Sequence, residues 1–265
     1  MLVPASLIVG ALGASIGSFI NVVVYRLPAG LSVISPPSRC PACLNKLKAY
    51  DNVPVLGWLW LKGRCRYCKS KISMRYPVVE SVTGLLFLLV FWVFQYSPQT
   101  IGYWIFCSWL LALSLIDFDT MTLPNPLTKS GLVLGVLFHT VLAFVQSTNW
   151  NSFNQIFGAI LGAVVGIWLF DAISFIGWVI FQKEAMGGGD AKLAAMMGAW
   201  LGWRHLLLAI LISCVVGVVA GSIGVVLSRR KWGKKMPFGP CLALGSLITL
   251  LVGEMIISSY LRLFP

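Results

Sequence analysis

Four cysteines are spaced to hold a metal ion: Cys40-Pro-Ala-Cys43, then 21 residues, then Cys65-Arg-Tyr-Cys68. Each CxxC pair forms a tight knuckle, and the loop between them returns the chain so that four thiolates complete a tetrahedron around Zn2+. Protein would fill all four positions, leaving none for water, so the chemistry expected is structural rather than hydrolytic. Two disulfides or two redox-active pairs compete with this reading. Both are disfavoured if the segment lies in a reducing compartment, where the topology derived below places it. Cys107, Cys214 and Cys241 stand singly in apolar stretches and read as small core residues.

The second candidate chemistry is carboxylate chemistry. The chain has only eight acidic residues: Asp51, Glu80, Asp117, Asp119, Asp171, Glu184, Asp190 and Glu254. A carboxylate at membrane depth is costly and needs a partner or a function. Asp117 and Asp119 close one apolar stretch in "LSLIDFDTMTLPN", and Asp190 opens another in "MGGGDAKL". Two carboxyls a few Å apart cannot both ionise, so they share a proton and together activate water against a peptide carbonyl. Residues i and i+2 of a helix point about 200° apart, so Asp117 and Asp119 cannot both face Asp190 on a continuous helix. Gly187 and Gly189, with Gly188, remove side chains beside Asp190 and permit close approach of an extended substrate strand. The plainer reading stands beside this one: Asp190 as a helix N-cap, and Asp117 or Asp119 as interfacial residues reaching water.

The elements that must position these residues follow from composition. The 265 residues are 58% hydrophobic and 11% charged, with a mean hydropathy of +0.87, whereas soluble domains carry about 25% charged residues. The expected fold class is an α-helical polytopic membrane protein of about eight transmembrane helices with a small zinc-binding cytoplasmic domain. Apolar stretches suited to spanning lie at about 2–24, 78–96, 100–118, 126–146, 154–181, 189–203, 205–228 and 238–261. The span at 189–203 is the weakest, being short and opening with charges. The expected domains are a first transmembrane helix at 1–24, a cytoplasmic zinc-binding domain at 25–77, and a transmembrane peptidase region at 78–265. Gly13 and Gly17, spaced as GxxxG, predict close approach of a neighbouring helix.

Net charge is +12, and its distribution sets the topology. Ten of the 20 Lys and Arg lie from Arg26 to Arg75, and five more in "RRKWGKK" from Arg229. With the N-terminus outside, the loops at 25–77, 119–125, 182–188 and 229–237 fall inside, and only Arg204 and Arg262 fall outside. Clustered positive loops therefore mark the cytoplasmic face rather than a nucleic-acid partner. The first span lacks a basic n-region and is followed by Arg26, so it reads as a retained anchor rather than a cleaved signal. The soluble segment, about fifty residues and rich in proline, has too small a core without a metal staple.

The ordered set of motifs resembles the type IV prepilin peptidase family, membrane aspartic proteases of the GxGD type. It comprises "SFINVVVYRLP", "CPAC" and "CRYC" around "DNVPVLGW", "ISMRYPVVES", "IDFDTMTLPN", "GGGDAKLAAMMGAWLG" and "PFGPCLALG". The resemblance implies cleavage of the basic leader of prepilins or pseudopilins, in the bacterial inner membrane at its cytoplasmic side, after the glycine preceding the apolar helix. It puts the catalytic pair on Asp117 and Asp190, the glycine motif on Gly187 and Gly189, and leaves Asp119 as an auxiliary carboxylate. It also implies N-methylation of the new terminus with S-adenosyl-L-methionine; no glycine-rich loop independently indicates that cofactor. Structural zinc, membrane lipid and a pilin-like substrate are the expected partners. Asp171 does not fit the family pattern and receives no role. Glu80 is expected to orient the small domain, and His139 and His205 to pack. The rival class is a proton- or ion-coupled transporter with a regulatory zinc domain, in which the carboxylates would line a path across the bilayer.

Overall fold

A computed structural model describes residues 2–145, 149–182, 187–226 and 237–263. The basic run at 229–235, Glu184 and most of the loop expected at 182–188 lie outside the described residues. Among the described residues there are eight α-helices: α1 (Leu2–Arg26), α2 (Leu56–Trp60), α3 (Arg75–Phe94), α4 (Pro98–Thr120), α5 (Asn125–Val145), α6 (Asn149–Phe181), α7 (Gly188–Val226) and α8 (Gly239–Leu261). All but α2 are long and apolar enough to cross a membrane. Among the described residues there is no strand, only two isolated bridges. The chain forms two compact units, Met1–Ala112 and Leu113–Pro265.

In the first unit α1 and α3 pack against each other along the glycine ridge of α1. A Cβ at Gly13 would sit 2.8 Å from Phe87 Cβ, and one at Gly17 2.8 Å from the Glu80 backbone. Hydrogen there lets the two backbones approach, as the GxxxG spacing predicts. Phe87 stacks on Trp104, with ring centroids 5.2 Å apart, and Trp104 donates its indole N–H to the Phe87 carbonyl at 3.0 Å. The segment between α1 and α3 is the small cysteine-bearing domain.

The second unit carries five of the eight spans read in the sequence. Two of them, 189–203 and 205–228, form a single named helix, α7, of 39 residues. A straight helix of that length would measure about 58 Å, far more than the roughly 30 Å hydrocarbon core. It is not straight. Gly202 has φ 75° and ψ 167°, a left-handed conformation that glycine adopts without steric cost, and it divides α7 into arms 188–201 and 203–226.

The packing of the other helices shows that the arms fold back. Gly162 and Gly166 of α6 meet Gly198 and Ala194 of the first arm, where a Cβ on either glycine would overlap facing backbone. On the second arm, α8 sets Gly253 against His205, Gly245 against Ala209 and Ser213, and Phe238 against Gly217. The neighbour of Phe238, Gly239, bonds to Asp117, whose charge reaches Asp190 in the first arm. Residues 190 and 217 would be about 40 Å apart on a straight helix, so both arms must return to the same end. The weak span is thus an arm of a hairpin turned at Gly202.

A broken helix leaves carbonyls without their i+4 donors. His139 of α5 meets this need: its Nε2 lies 3.0 Å from the Trp200 carbonyl, while the Trp200 indole N–H donates to Gly131 at 2.8 Å. Beyond the turn, Arg204 stacks on the Trp203 ring, 5.3 Å from its centroid. His205 lies 3.3 Å from Glu254. This polar and aromatic cluster sits at the end of the arms opposite Asp190, as residues at a membrane boundary do. His205 is therefore paired as well as packed.

Candidate active site and metal centre

The two cysteine pairs are built as two copies of one local device. Each CxxC is followed by a residue in the left-handed region, Leu44 at φ 58° and Lys69 at φ 58°. In the first, the Cys40 N–H donates to Asn45 and the Leu44 N–H to Cys40; in the second, the Cys65 N–H donates to Ser70 and the Lys69 N–H to Cys65. Bridges between Arg39 and Lys46 and between Arg64 and Lys71 close the two knuckles identically. The four Sγ atoms of Cys40, Cys43, Cys65 and Cys68 all lie within 4.8 Å of one another. The Cys40–Cys68 and Cys43–Cys65 separations are 3.7 and 4.0 Å. A tetrahedral ion with Zn–S bonds of about 2.3 Å needs edges of about 3.8 Å, so the thiols are placed to hold a metal such as zinc. The Cys43 backbone N–H holds Cys40 below the usual thiol range, against the effect of burial.

The domain around the thiols is tied at two points. Arg66 donates through Nε and Nη2 to Asp51 Oδ1, at 2.8 and 2.6 Å. Glu80 of α3 accepts the Val55 N–H at 2.7 Å and bonds to Ser18 of α1. Glu80 thus orients the small domain against α1 and α3, the role its position suggested.

The carboxyl site lies in the second unit and is assembled from helix ends. α4 stays helical through Thr120, so Asp117 and Asp119 point to different sides: Asp117 is buried and Asp119 exposed. Asp117 is the one within electrostatic reach of Asp190. Its Oδ2 accepts the backbone N–H of Gly239 at 2.9 Å, at the first residue of α8, where unsatisfied N–H groups and the helix dipole favour an anion. A side chain at residue 239 would displace the Asp117 carboxyl, since its Cβ would stand 2.7 Å from that oxygen. Cys241 lies in the same electrostatic environment, affected by the Asp117 charge.

Asp190 is in the first turn of α7, two residues past its start, and its own N–H donates to Gly187 at 3.0 Å. It is therefore not the N-cap of that helix; the carboxyl that caps a helix here is Asp117, and the helix is α8. A Cβ at Gly187 or Gly188 would meet nothing within 4 Å, while one at Gly189 would press on Leu123 at 3.2 Å. Lys192 reaches back to Asn125 Oδ1 at 2.7 Å, binding the start of α7 to the start of α5. Asp171 is exposed on α6. Gly239 was not assigned a role from sequence; the signal for it was present in "PFGP", a glycine between two prolines at the start of an apolar helix.

A helical membrane protein with a four-thiol centre in one unit and two converging carboxyls in the other is the class these features define. The bacterial A24 peptidase N-terminal domain matches residues 11–94, and the type IV leader peptidase family matches residues 104–222. The chain is 38% identical to a prepilin leader peptidase/N-methyltransferase of Stutzerimonas stutzeri, over 95% of this chain and 92% of that one. It is 40% identical to a protein of the same name in Myxococcus xanthus, covering 83% of this chain and 63% of that one. A type 4 prepilin-like proteins leader peptide-processing enzyme of Escherichia coli is 36% identical, over 90% of each chain. No solved structure matches. The chain belongs to the type IV leader peptidase family and is a multi-pass protein of the inner membrane.

Proposed function

We propose that this protein removes the basic leader of a type IV prepilin or pseudopilin, after the glycine preceding the apolar helix, and N-methylates the new terminus. The reading rests on one observation above the others: Asp117, anchored to the N-terminus of α8, lies in electrostatic reach of Asp190. Asp117 Oδ2 accepts an N–H, which favours its carboxylate form, so the shared proton resides on Asp190. Asp117 then takes a proton from water as the hydroxide adds to the scissile carbonyl carbon, while Asp190 donates its proton to the carbonyl oxygen. Collapse of the tetrahedral intermediate returns one hydroxyl proton to Asp190 as the carbonyl reforms, and expels the amine, which leaves with the proton held on Asp117. Open space beside Gly187 and Gly188 leaves room for an extended strand, and Asp119 is an auxiliary group outside the pair.

The zinc centre is structural in this reading, because four thiolates fill its coordination sphere. The N-terminus lies outside, and both the metal domain and the carboxyl pair face the cytoplasm, by the distribution of Lys and Arg. Methylation enters through the names of the relatives, and S-adenosyl-L-methionine as its donor through the family resemblance alone. Incubating the purified protein with a prepilin in detergent, with and without S-adenosylmethionine, tests the whole reading by product mass. Loss of the leader mass reports the peptidase, and an added methyl reports the transferase; an unchanged prepilin overturns the proposal.

A further inference from the structure

The short helix α2 presents its apolar residues outward. Leu56, Leu59 and Trp60, at i, i+3 and i+4, are 64%, 57% and 84% exposed and share one face of the turn. The opposite side faces the domain: Trp58 donates its indole N–H to the Ile72 carbonyl at 3.2 Å. A Cβ on Gly57 would stand 2.5 Å from the Asp51 carbonyl. A five-residue helix that tucks one tryptophan partly against the domain and exposes another beside two leucines presents an apolar face outward.

The depth of α2 identifies what covers that face. α3 has 20 residues, a length of about 30 Å that just matches the hydrocarbon core. With α3 spanning, Arg75 lies at one border and Glu80 about 7.5 Å inside it. Val55, immediately before α2, donates its N–H to Glu80, so α2 begins within about 7.5 Å of the border between headgroups and acyl chains. Tryptophan with leucine suits that level.

Charge completes the argument. Lys62, Arg64 and Lys69, with Leu61 and Cys65, line a cavity of about 500 Å³ directly after α2. From Arg26 to Arg75 there are ten positive residues and one acidic residue, Asp51, which is paired to Arg66. The segment remains strongly positive even with a Zn(Cys)4 centre of charge −2. A basic leader would be repelled by such a surface, whereas anionic phospholipid headgroups are attracted to it.

We infer that α2 is an interfacial anchor: Leu56, Leu59 and Trp60 insert between phospholipids, with Lys62, Arg64 and Lys69 against anionic headgroups. The metal domain is then held against the bilayer by its own surface in addition to its two helical tethers. The proposal does not depend on the proteolytic reading.

The test uses the full chain, with a photo-crosslinking phenylalanine analogue at position 59, in nanodiscs of equal phosphatidylglycerol and phosphatidylcholine. Mass analysis should find lipid adducts, with phosphatidylglycerol favoured by on the order of fivefold. Lys62→Gln combined with Lys69→Gln should reduce that preference toward equal use of the two lipids, with bound metal retained as the control for folding. Absence of lipid adducts, or adducts only to a second copy of the protein, overturns the anchor. Lipid adducts without a phosphatidylglycerol preference overturn the assignment of anionic headgroups as its partner.

Discussion

In the first unit the four thiols come from two copies of one local device, each closed by a left-handed residue, Leu44 or Lys69, and each complete within eight residues. In the second unit the carboxyls at 117 and 190 belong to different helices, and a third helix supplies the N–H that holds one of them. A locally built site depends on its own loop and on the metal that joins the copies. A site built from helix ends depends on every packing contact that brings those ends to one level, including the turn at Gly202 and the close approach of Gly162 to Gly198. Substitutions should therefore act differently in the two units, and the contrast can be broken or sharpened by measurement.

The largest effect is expected in the metal domain. Cys40→Ser or Cys65→Ser should remove bound zinc from metal analysis and open residues between 26 and 75 to limited proteolysis. Structural zinc contributes about 10 kcal/mol or more to the folding of small domains. Protection from proteolysis in a metal-free variant would show that the knuckles hold without their ion.

Next come the carboxyls. Asp117→Asn and Asp190→Asn should each lower prepilin cleavage by roughly 10³-fold or more, because groups acting as a unit fail together. Zinc content should be unchanged, which separates the two units experimentally. Equal loss of metal and activity in either variant would erase the contrast.

A smaller effect is expected at Gly239. Alanine there places a methyl 2.7 Å from Asp117 Oδ2, so the carboxyl must shift from the α8 N-terminus. Cleavage should fall by about 10- to 100-fold, carried by kcat rather than KM, since misplacement of a catalytic group acts on the transition state. The smallest effect is expected for Asp119→Asn, within about threefold, as for other exposed substitutions outside a site. A loss at 119 as large as that at 117 would overturn the assignment of roles between them.

The difference between the units also explains what could be read before the structure was known. The CxxC pairs, the GxxxG ridge of α1 and the apolar helices were legible because each depends on neighbours within a few turns. The helical 200° rule showed that only one of Asp117 and Asp119 could face Asp190, but not which one. That choice required the phase of α4 relative to α7 and α8. Gly239 went unassigned for the same reason: its importance lies in its distance to a residue far away in sequence. The short span at 189–203 was ambiguous by composition, because 14 or 15 residues fall short of a bilayer and only the positive φ of Gly202 turns them into an arm.

The sequence by itself determined the solvent, the helical class, the four thiols that could hold a metal and the candidate acids, since hydropathy and short spacings are properties of neighbouring residues. Only the tertiary structure decided that Asp117 turns inward and Asp119 outward, that α8 lends its N-terminus to Asp117, and that the turn between the arms of α7 is made at Gly202. These are relations between helix ends, set by the close approach of Gly162, Gly198 and Gly245 to facing backbone and of Gly239 to the Asp117 carboxyl, where the lack of a methyl group lets the elements meet.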